Sequence, residues 1–220
     1  MEENMQNEEH TESVETEAYF SEIEARVIGA LSEKHLTTPQ NYPLTINSLM
    51  NACNQKSNRE PVMKLTEGQI GHTVNGLVER KLAGIDYGDR SNKISHRICV
   101  ELDIDRKQQA LLTVMLLRKP QTLNELKTRT ARMADFDDIN DIQNSLDAMI
   151  DRDEPLLVLI PKGAGRREDR FTHTLCGEVD LSSIEKESIV TVHPEFDNSK
   201  LEEIEARLAI IEEKLGIIRN

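Results

Sequence analysis

A chain of 220 residues can hold one larger domain or two small ones, each with a core of its own. Trp is absent and only 3% of the residues are aromatic, which favours small helical domains over a large β-sandwich. The net charge of -13 would ordinarily repel nucleic acid, but most of it lies at the two ends of the chain. Residues 23–103 carry nine acids and ten bases, so nucleic-acid binding is neither excluded nor implied.

Cysteine usage and the amino terminus bear on the compartment. Cys53, Cys99 and Cys176 are widely spaced and form no CxxC pair, which favours a reduced cytoplasmic compartment. The first residues are acidic where a signal peptide would be cationic, and no apolar run approaches a membrane span. We therefore expect a cytoplasmic protein with no membrane partner.

No catalytic pattern stands out. The sequence contains no HExxH, GxSxG or P-loop motif, and its six histidines are scattered without metal-ligand spacing. We therefore expect no enzyme activity, no cofactor and no metal site.

The first 103 residues predict an acidic disordered tail (1–19) and then a domain (20–103). Ser21 can cap a first helix that ends near His35, and Pro39 and Pro43 then impose an extended connection. Thr45 can cap a second helix, and Thr66 a third that ends near residue 82. Strands are predicted over 83–87 and 94–100. Three helices followed by a hairpin is the order of a winged helix-turn-helix domain.

The same order recurs over 104–178. A helix over 105–118 precedes a short helix capped by Thr122 and a third helix capped by Asp137 or Asp138. Strands are predicted over 156–160 and 170–175. The repeat predicts a mostly α protein with small β-hairpins, built from two tandem winged helix-turn-helix domains.

The carboxyl end predicts a linker (179–198) and a coiled-coil helix (199–219). Its apolar residues follow a heptad seam with spacings of 3, 4, 3, 4 and 3, namely Leu201, Ile204, Leu208, Ile211, Leu215 and Ile218. We expect a homo-oligomer through this helix. The alternative is that the helix folds back on its own chain.

Several long motifs carry a family resemblance. The strings EARVIGALSEK and TTPQNYPLTINSLMNACNQKSNREPVM, and later LLRKPQTLNELKTRTARM and GRRE, resemble the YceH family of bacterial proteins over about residues 20–180. The resemblance implies tandem winged helices and no established biochemical activity. The acidic amino-terminal extension and the glycine-rich third helix go beyond the family pattern.

A winged helix lays its third helix in the major groove of DNA. The predicted nucleic-acid contacts therefore come from the third helix, the loop before it, the hairpin and the basic groups of the second domain: Gln69, His72, Thr73, Asn75 and Arg80; Asn54, Lys56, Asn58 and Arg59; Arg90, Lys93 and Arg97; Lys127, Arg129, Arg166 and Arg167.

Three alternatives stay open. Each basic cluster can be a solvated surface, and the Asn-rich loop can simply satisfy backbone groups. Residues 137–154 hold seven acids and one base, which would repel a duplex. The leading hypothesis is a DNA-binding protein that acts without catalysis and could be a regulator. A scaffold that binds proteins, without DNA, is the second hypothesis.

Overall fold

The computed structural model describes residues 18–88, 91–163, 167–177 and 179. These residues form seven α-helices: α1 (Glu22–Thr37), α2 (Ile46–Cys53), α3 (Glu67–Glu79), α4 (Ile98–Glu101), α5 (Arg106–Leu117), α6 (Leu123–Thr130) and α7 (Ile139–Ile150). The strands are β1 (Ala83–Asp86), β2 (Lys93–His96), β3 (Leu157–Ile160) and β4 (Arg170–His173). A single 3-10 turn spans Pro39–Asn41. The predicted mixture of mainly helix with small hairpins is confirmed.

All of these elements belong to one compact unit, whereas the described residues 162, 163, 167 and 168 belong to a second. These four described residues are exposed. The predicted coiled-coil helix, the tail up to residue 17 and the linker beyond 179 lie outside the described residues.

The order of three helices and a hairpin occurs twice in the first unit. We call α1, α2, α3, β1 and β2 the first repeat, and α5, α6, α7, β3 and β4 the second. In each repeat the two strands pair antiparallel, and one residue ahead of them adds a bridge, Leu44 to Ile94 in the first and Gln121 to Phe171 in the second. The two repeats thus share the same pattern of strand pairing.

Local capping explains where the helices begin. Ser21 and Glu24 form the predicted capping box of α1, and Thr66 and Gln69 form that of α3. Thr45 caps α2 as predicted. In the second repeat the predicted caps Thr122 and Asp138 are likewise in place, and Asp105 opens α5.

The predicted returning strand over 94–100 is wrong beyond His96. The chain turns at Arg97 into α4, which places Ile98 and Leu102 four residues apart on one helical side. Both side chains are buried, but a spacing of four places two residues on one face of a strand as well, so their burial fits either structure. The backbone shows the helix, because the Glu101 amide donates to the Arg97 carbonyl oxygen at 3.1 Å and the Leu102 amide donates to the Ile98 carbonyl oxygen at 2.9 Å.

The third helix ends earlier than predicted, at Glu79. Lys81 adopts a left-handed conformation with φ of 63°, and the Leu82 amide donates to the Leu77 carbonyl oxygen at 2.8 Å. The Lys81 amide donates to the Val78 carbonyl oxygen at 3.0 Å. These two bonds form a Schellman motif, which terminates the helix without glycine.

The two repeats share one apolar core because α1 packs along α5. Gly29 lies at the crossing, where a Cβ atom would stand 2.9 Å from Leu117 Cδ2 and 3.1 Å from Leu116 Cβ. Ser32 and Thr113 meet across the same contact, with 2.7 Å between their hydroxyl oxygens. The absence of a side chain at Gly29 therefore sets how closely the two helices approach.

Candidate nucleic-acid interface

The third helix of the first repeat has one buried face and one polar face. Ile70, Val74 and Leu77 point into the core, which orients the helix. His72 and Asn75 are exposed and lie away from that stripe. Their side chains form no hydrogen bond within the described residues, so both are available to an outside partner.

Gln69 and Thr73 are less available than the sequence suggested. Gln69 Oε1 accepts the Thr66 amide at 2.9 Å and the Thr66 hydroxyl at 3.0 Å. The Thr73 hydroxyl donates to the Gln69 carbonyl oxygen at 2.8 Å. Gln69 therefore cannot offer both ends of its amide to a base edge while the capping box is closed.

Arg80 fastens the start of the described chain to the end of α3. Its Nη1 lies 2.9 Å from Glu24 Oε1, and its Nη2 donates to the Tyr19 carbonyl oxygen. The guanidinium also lies 5.2 Å from the centroid of the Tyr19 ring and 5.7 Å from that of Phe20. Two of the Arg80 guanidinium nitrogens are therefore already bonded within the protein, which leaves fewer donors for DNA.

The loop before α3 corrects two of the predicted phosphate contacts, Arg59 and Asn54. Arg59 is 4% exposed, and it forms a fork with the Glu33 carboxylate at 2.6 and 3.1 Å. Burial alone would raise the pKa of Glu33, but the Arg59 bond and charge outweigh it and hold that pKa below its ordinary value. Arg59 is therefore a structural group.

Asn54 is structural for a second reason. Its Nδ2 donates to the Leu65 carbonyl oxygen at 2.8 Å, and its Oδ1 accepts the Leu65 amide at 2.7 Å. Both ends of the amide thus replace backbone pairing, as the alternative interpretation of the loop foresaw. Lys56 and Asn58 remain exposed, Asn58 with a left-handed φ of 59°.

A buried arginine that the sequence analysis missed closes the same loop. Arg26 is 2% exposed and donates to the Cys53 carbonyl oxygen at 3.2 Å and the Pro61 carbonyl oxygen at 2.6 Å. Its position on the inner face of α1, between Ala25 and Val27, is the only signal in the sequence. Burial raises the pKa of the neighbouring Cys53 thiol to about 12, so this cysteine is a core residue.

The hairpin of the first repeat brings two exposed cations to the surface, Lys93 and Arg97. The Arg97 guanidinium lies over the β1 backbone, where a Cβ atom on Gly84 would stand 3.2 Å from its Nε. Arg90, the third predicted cation of this hairpin, lies outside the described residues.

The basic groups of the second repeat are partly neutralised. Glu125 receives Arg129 at 3.5 Å and Arg170 at 3.2 Å, whereas Lys127 is exposed. Arg167 is exposed, and Arg166 lies outside the described residues.

The third helix of the second repeat carries acidic groups at both ends. Asp138 caps α7, and its pKa is lowered chiefly by the Asp141 amide that it accepts. Asp141 forms an ion pair of 2.6 Å with Lys107, and that bond lowers its pKa. Asp147 and Asp151 are exposed at the carboxyl end. This helix would repel a phosphate backbone.

The comparisons with known proteins agree with the resemblance seen in the sequence. A family model described as "Protein of unknown function, DUF480" matches residues 20–166. A UPF0502 protein of Vibrio atlanticus is 41% identical over 207 residues, which cover 91% of this chain and 95% of that protein. One from Cellvibrio japonicus is 44% identical over 194 residues, 88% of each chain. The chain belongs to the UPF0502 family. This is the family that the resemblance to YceH indicated.

A partly buried polar cluster joins the two repeats of this UPF0502 chain. Gln109 Nε2 lies 2.8 Å from the Ser32 hydroxyl oxygen and 3.2 Å from His96 Nε2, and His35 Nδ1 lies 3.0 Å from the same His96 nitrogen. Burial, and then the neighbouring His35, lower the pKa of His96 to about 4. These groups are neutral at pH 7 and act as a polar core. No sequence signal joined them, because their positions are far apart in the chain.

Two negative findings apply to the described part of the UPF0502 chain alone. No group of three or more His, Cys, Asp or Glu side chains is placed to hold a metal ion there. None of its helices is both long enough and apolar enough to cross a bilayer.

Proposed function

We propose that each repeat is a winged helix-turn-helix unit and that the first repeat binds DNA without catalysing a reaction. The observation that carries this proposal is the polar face of α3. His72 and Asn75 stand exposed on it with no partner among the described residues, and the core stripe on the other side holds the helix in place.

In this proposal α3 enters the major groove. Asn75 can hydrogen-bond an adenine edge through both ends of its amide, and His72 can donate or accept at a neighbouring base. Lys93 and Arg97 on the hairpin neutralise phosphates, and Lys56 adds a third exposed cation ahead of the helix. The protein would act as a regulator by occupying sites on DNA.

The second repeat has a different part in the proposal. Its α5 packs on α1, so it stabilises the first repeat. Its α7 is acidic, so it does not contact the duplex in this proposal. Self-association through the heptad residues of 199–219 would present two first repeats to one duplex, as two-fold DNA-binding proteins do.

The test is fluorescence anisotropy of a labelled duplex with the full chain, at low and at near-physiological salt. We expect micromolar binding that weakens steeply with salt and strengthens when residues 1–17 are removed. Lys93→Ala with Arg97→Ala should reduce the salt slope by about 2. Lys81→Gln, which removes an exposed cation beyond the carboxyl end of α3, should leave the slope nearly unchanged.

A protein-binding scaffold is the second candidate, and the acidic ends of α7 favour it. Absence of duplex binding at low salt, with and without residues 1–17, would remove the DNA proposal and leave the scaffold. In that case neutralising Asp147 and Asp151 should weaken capture of a cationic protein partner.

A further inference from the structure

The stretch between α1 and α2 encloses a polar cleft that the proposed DNA contact of α3 does not use. The cleft has a volume of about 610 Å³ and lies wholly within the first repeat. Its walls come from the end of α1, the 3-10 turn, the start of α2 and the first residue of β2. None of the described residues that line it is Asp or Glu, although the chain as a whole is acidic.

Two lysines line the cleft, Lys34 and Lys93. Lys34 Nζ lies 3.6 Å from Glu33 Oε2, but that carboxylate is already held by the Arg59 fork. Lys93 stands opposite Asp86 in the hairpin, and no ion pair joins the two. The positive charge of both lysines is therefore only partly neutralised.

Two amide side chains, Gln40 and Asn41, extend the donor set. Both are exposed, and neither side chain forms a hydrogen bond within the described residues. Ser48 adds a hydroxyl from the first turn of α2, whose positive dipole end lies on the same wall. Ammonium, amide and hydroxyl groups without a carboxylate are the donors that proteins direct at phosphate oxygens.

Internal contacts fix the backbone that forms the cleft. Tyr42, which lines it, accepts the His96 amide at 2.7 Å through its hydroxyl and stacks on the His35 ring at 4.9 Å between centroids. Leu44 and Ile94 exchange two backbone hydrogen bonds of 3.0 and 2.7 Å. The backbone is therefore in place before a ligand arrives, and binding has to order only the side chains of the donors.

We infer that this cleft binds a phosphate group. The group belongs either to a DNA backbone that passes the hairpin or to a small phosphorylated molecule, because both present the same oxygens. The inference does not rest on α3, with which the cleft shares no residue, and it shares only Lys93 with the proposed hairpin contact.

The experiment is amide NMR of the isotope-labelled full chain titrated separately with inorganic phosphate, AMP and a short duplex. We expect shifts at the amides of residues 38, 40–42, 44 and 48 in at least one titration. Shifts there with the duplex alone support a backbone contact, and shifts with AMP or inorganic phosphate support a small-molecule site. No shift there in any titration overturns the inference, even if α3 responds to the duplex.

Matched variants distinguish binding at this cleft from a nonspecific effect of the protein's positive charges. Lys34→Gln should weaken binding of the responding probe about tenfold, as should Gln40→Ala with Asn41→Ala. Asp86→Asn should strengthen it about twofold by removing the acid opposite Lys93. Lys81→Gln is the control for lost charge. Equal weakening by Lys34→Gln and Lys81→Gln would contradict a built site. If the cleft responds while α3 does not, the phosphate site stands and the DNA proposal fails.

Discussion

The helices α3 and α7 occupy the same place in the two repeats, yet their surroundings differ in charge. Each helix contains two acidic residues, Glu67 and Glu79 in α3 and Asp141 and Asp147 in α7. The residues next to each helix separate them, because Lys64 and Arg80 flank α3, whereas Asp137, Asp138, Asp151 and Asp153 flank α7. One architecture thus carries two surfaces, and the proposed DNA contact concerns the first alone.

The largest expected effect concerns the loop that precedes α3. Arg59→Ala should lower the free energy of unfolding by about 3–5 kcal/mol, since it leaves the Glu33 carboxylate buried without its partner. Lys56→Ala, three residues earlier and exposed, should change it by less than about 0.5 kcal/mol. Urea unfolding of both variants measures the difference. Equal changes in the free energy of unfolding would show that Arg59 is a surface residue and would restore it as a predicted DNA contact.

The next effect concerns pH and the cluster between the repeats. Burial lowers the pKa of His35, and burial with His35 lowers that of His96 to about 4. An unfolded histidine titrates near about 6.5, so the unfolded state binds more protons between these values. Stability should be complete above about pH 6.5 and should fall as the pH approaches 4, by at most about 1.4 kcal/mol per pH unit for each histidine.

Thermal unfolding across this pH range measures that decline. His96→Gln should reduce it and leave the share of His173, whose pKa burial also lowers to about 4, whereas His72→Gln, at an exposed position of α3, should not. An unchanged pH profile in the His96 variant would show that this ring is accessible to solvent.

The comparison of α3 with α7 is sharpened by one matched pair of substitutions. Asn75→Ala and Asn144→Ala remove the same amide from an exposed position of each helix. On the tightest duplex selected from random sequences, Asn75→Ala should weaken binding about tenfold or more. Asn144→Ala should have no effect. The reverse result would exchange the roles of the two repeats.

The last pair of effects concerns glycine. Gly29→Ala should destabilise the protein by about 1–3 kcal/mol, because the added methyl group overlaps Leu117. Gly71→Ala should instead stabilise it by up to about 1 kcal/mol, since a Cβ atom there meets nothing within 4 Å. Thermal unfolding of the two variants checks the opposite signs. Stabilisation by Gly29→Ala would contradict the close approach of α1 to α5.

The sequence predicted those features whose causes are local. Ser21 with Glu24 and Thr66 with Gln69 carry their own capping partners three residues away, so the starts of α1 and α3 were readable. Features that depend on distant partners were not. Arg59 looked like a surface cation because Glu33 lies 26 positions earlier, and α4 looked like a strand because the spacing of Ile98 and Leu102 fits both periods.

The candidate site follows the same rule. Exposure of His72 and Asn75 follows from the helical period of Ile70 and Val74, so it could be predicted. The cleft beside Gln40 and Asn41 could not, because it forms only when β2 brings Lys93 to the end of α1.

Hydrogen–deuterium exchange of the full chain, with and without an excess of duplex, tests the central claim most directly. The account predicts slower exchange over Glu67–Glu79 and Lys93–His96 and no change over Ile139–Ile150. Protection confined to Ile139–Ile150, or none in either repeat at low salt, would contradict DNA binding by the first repeat.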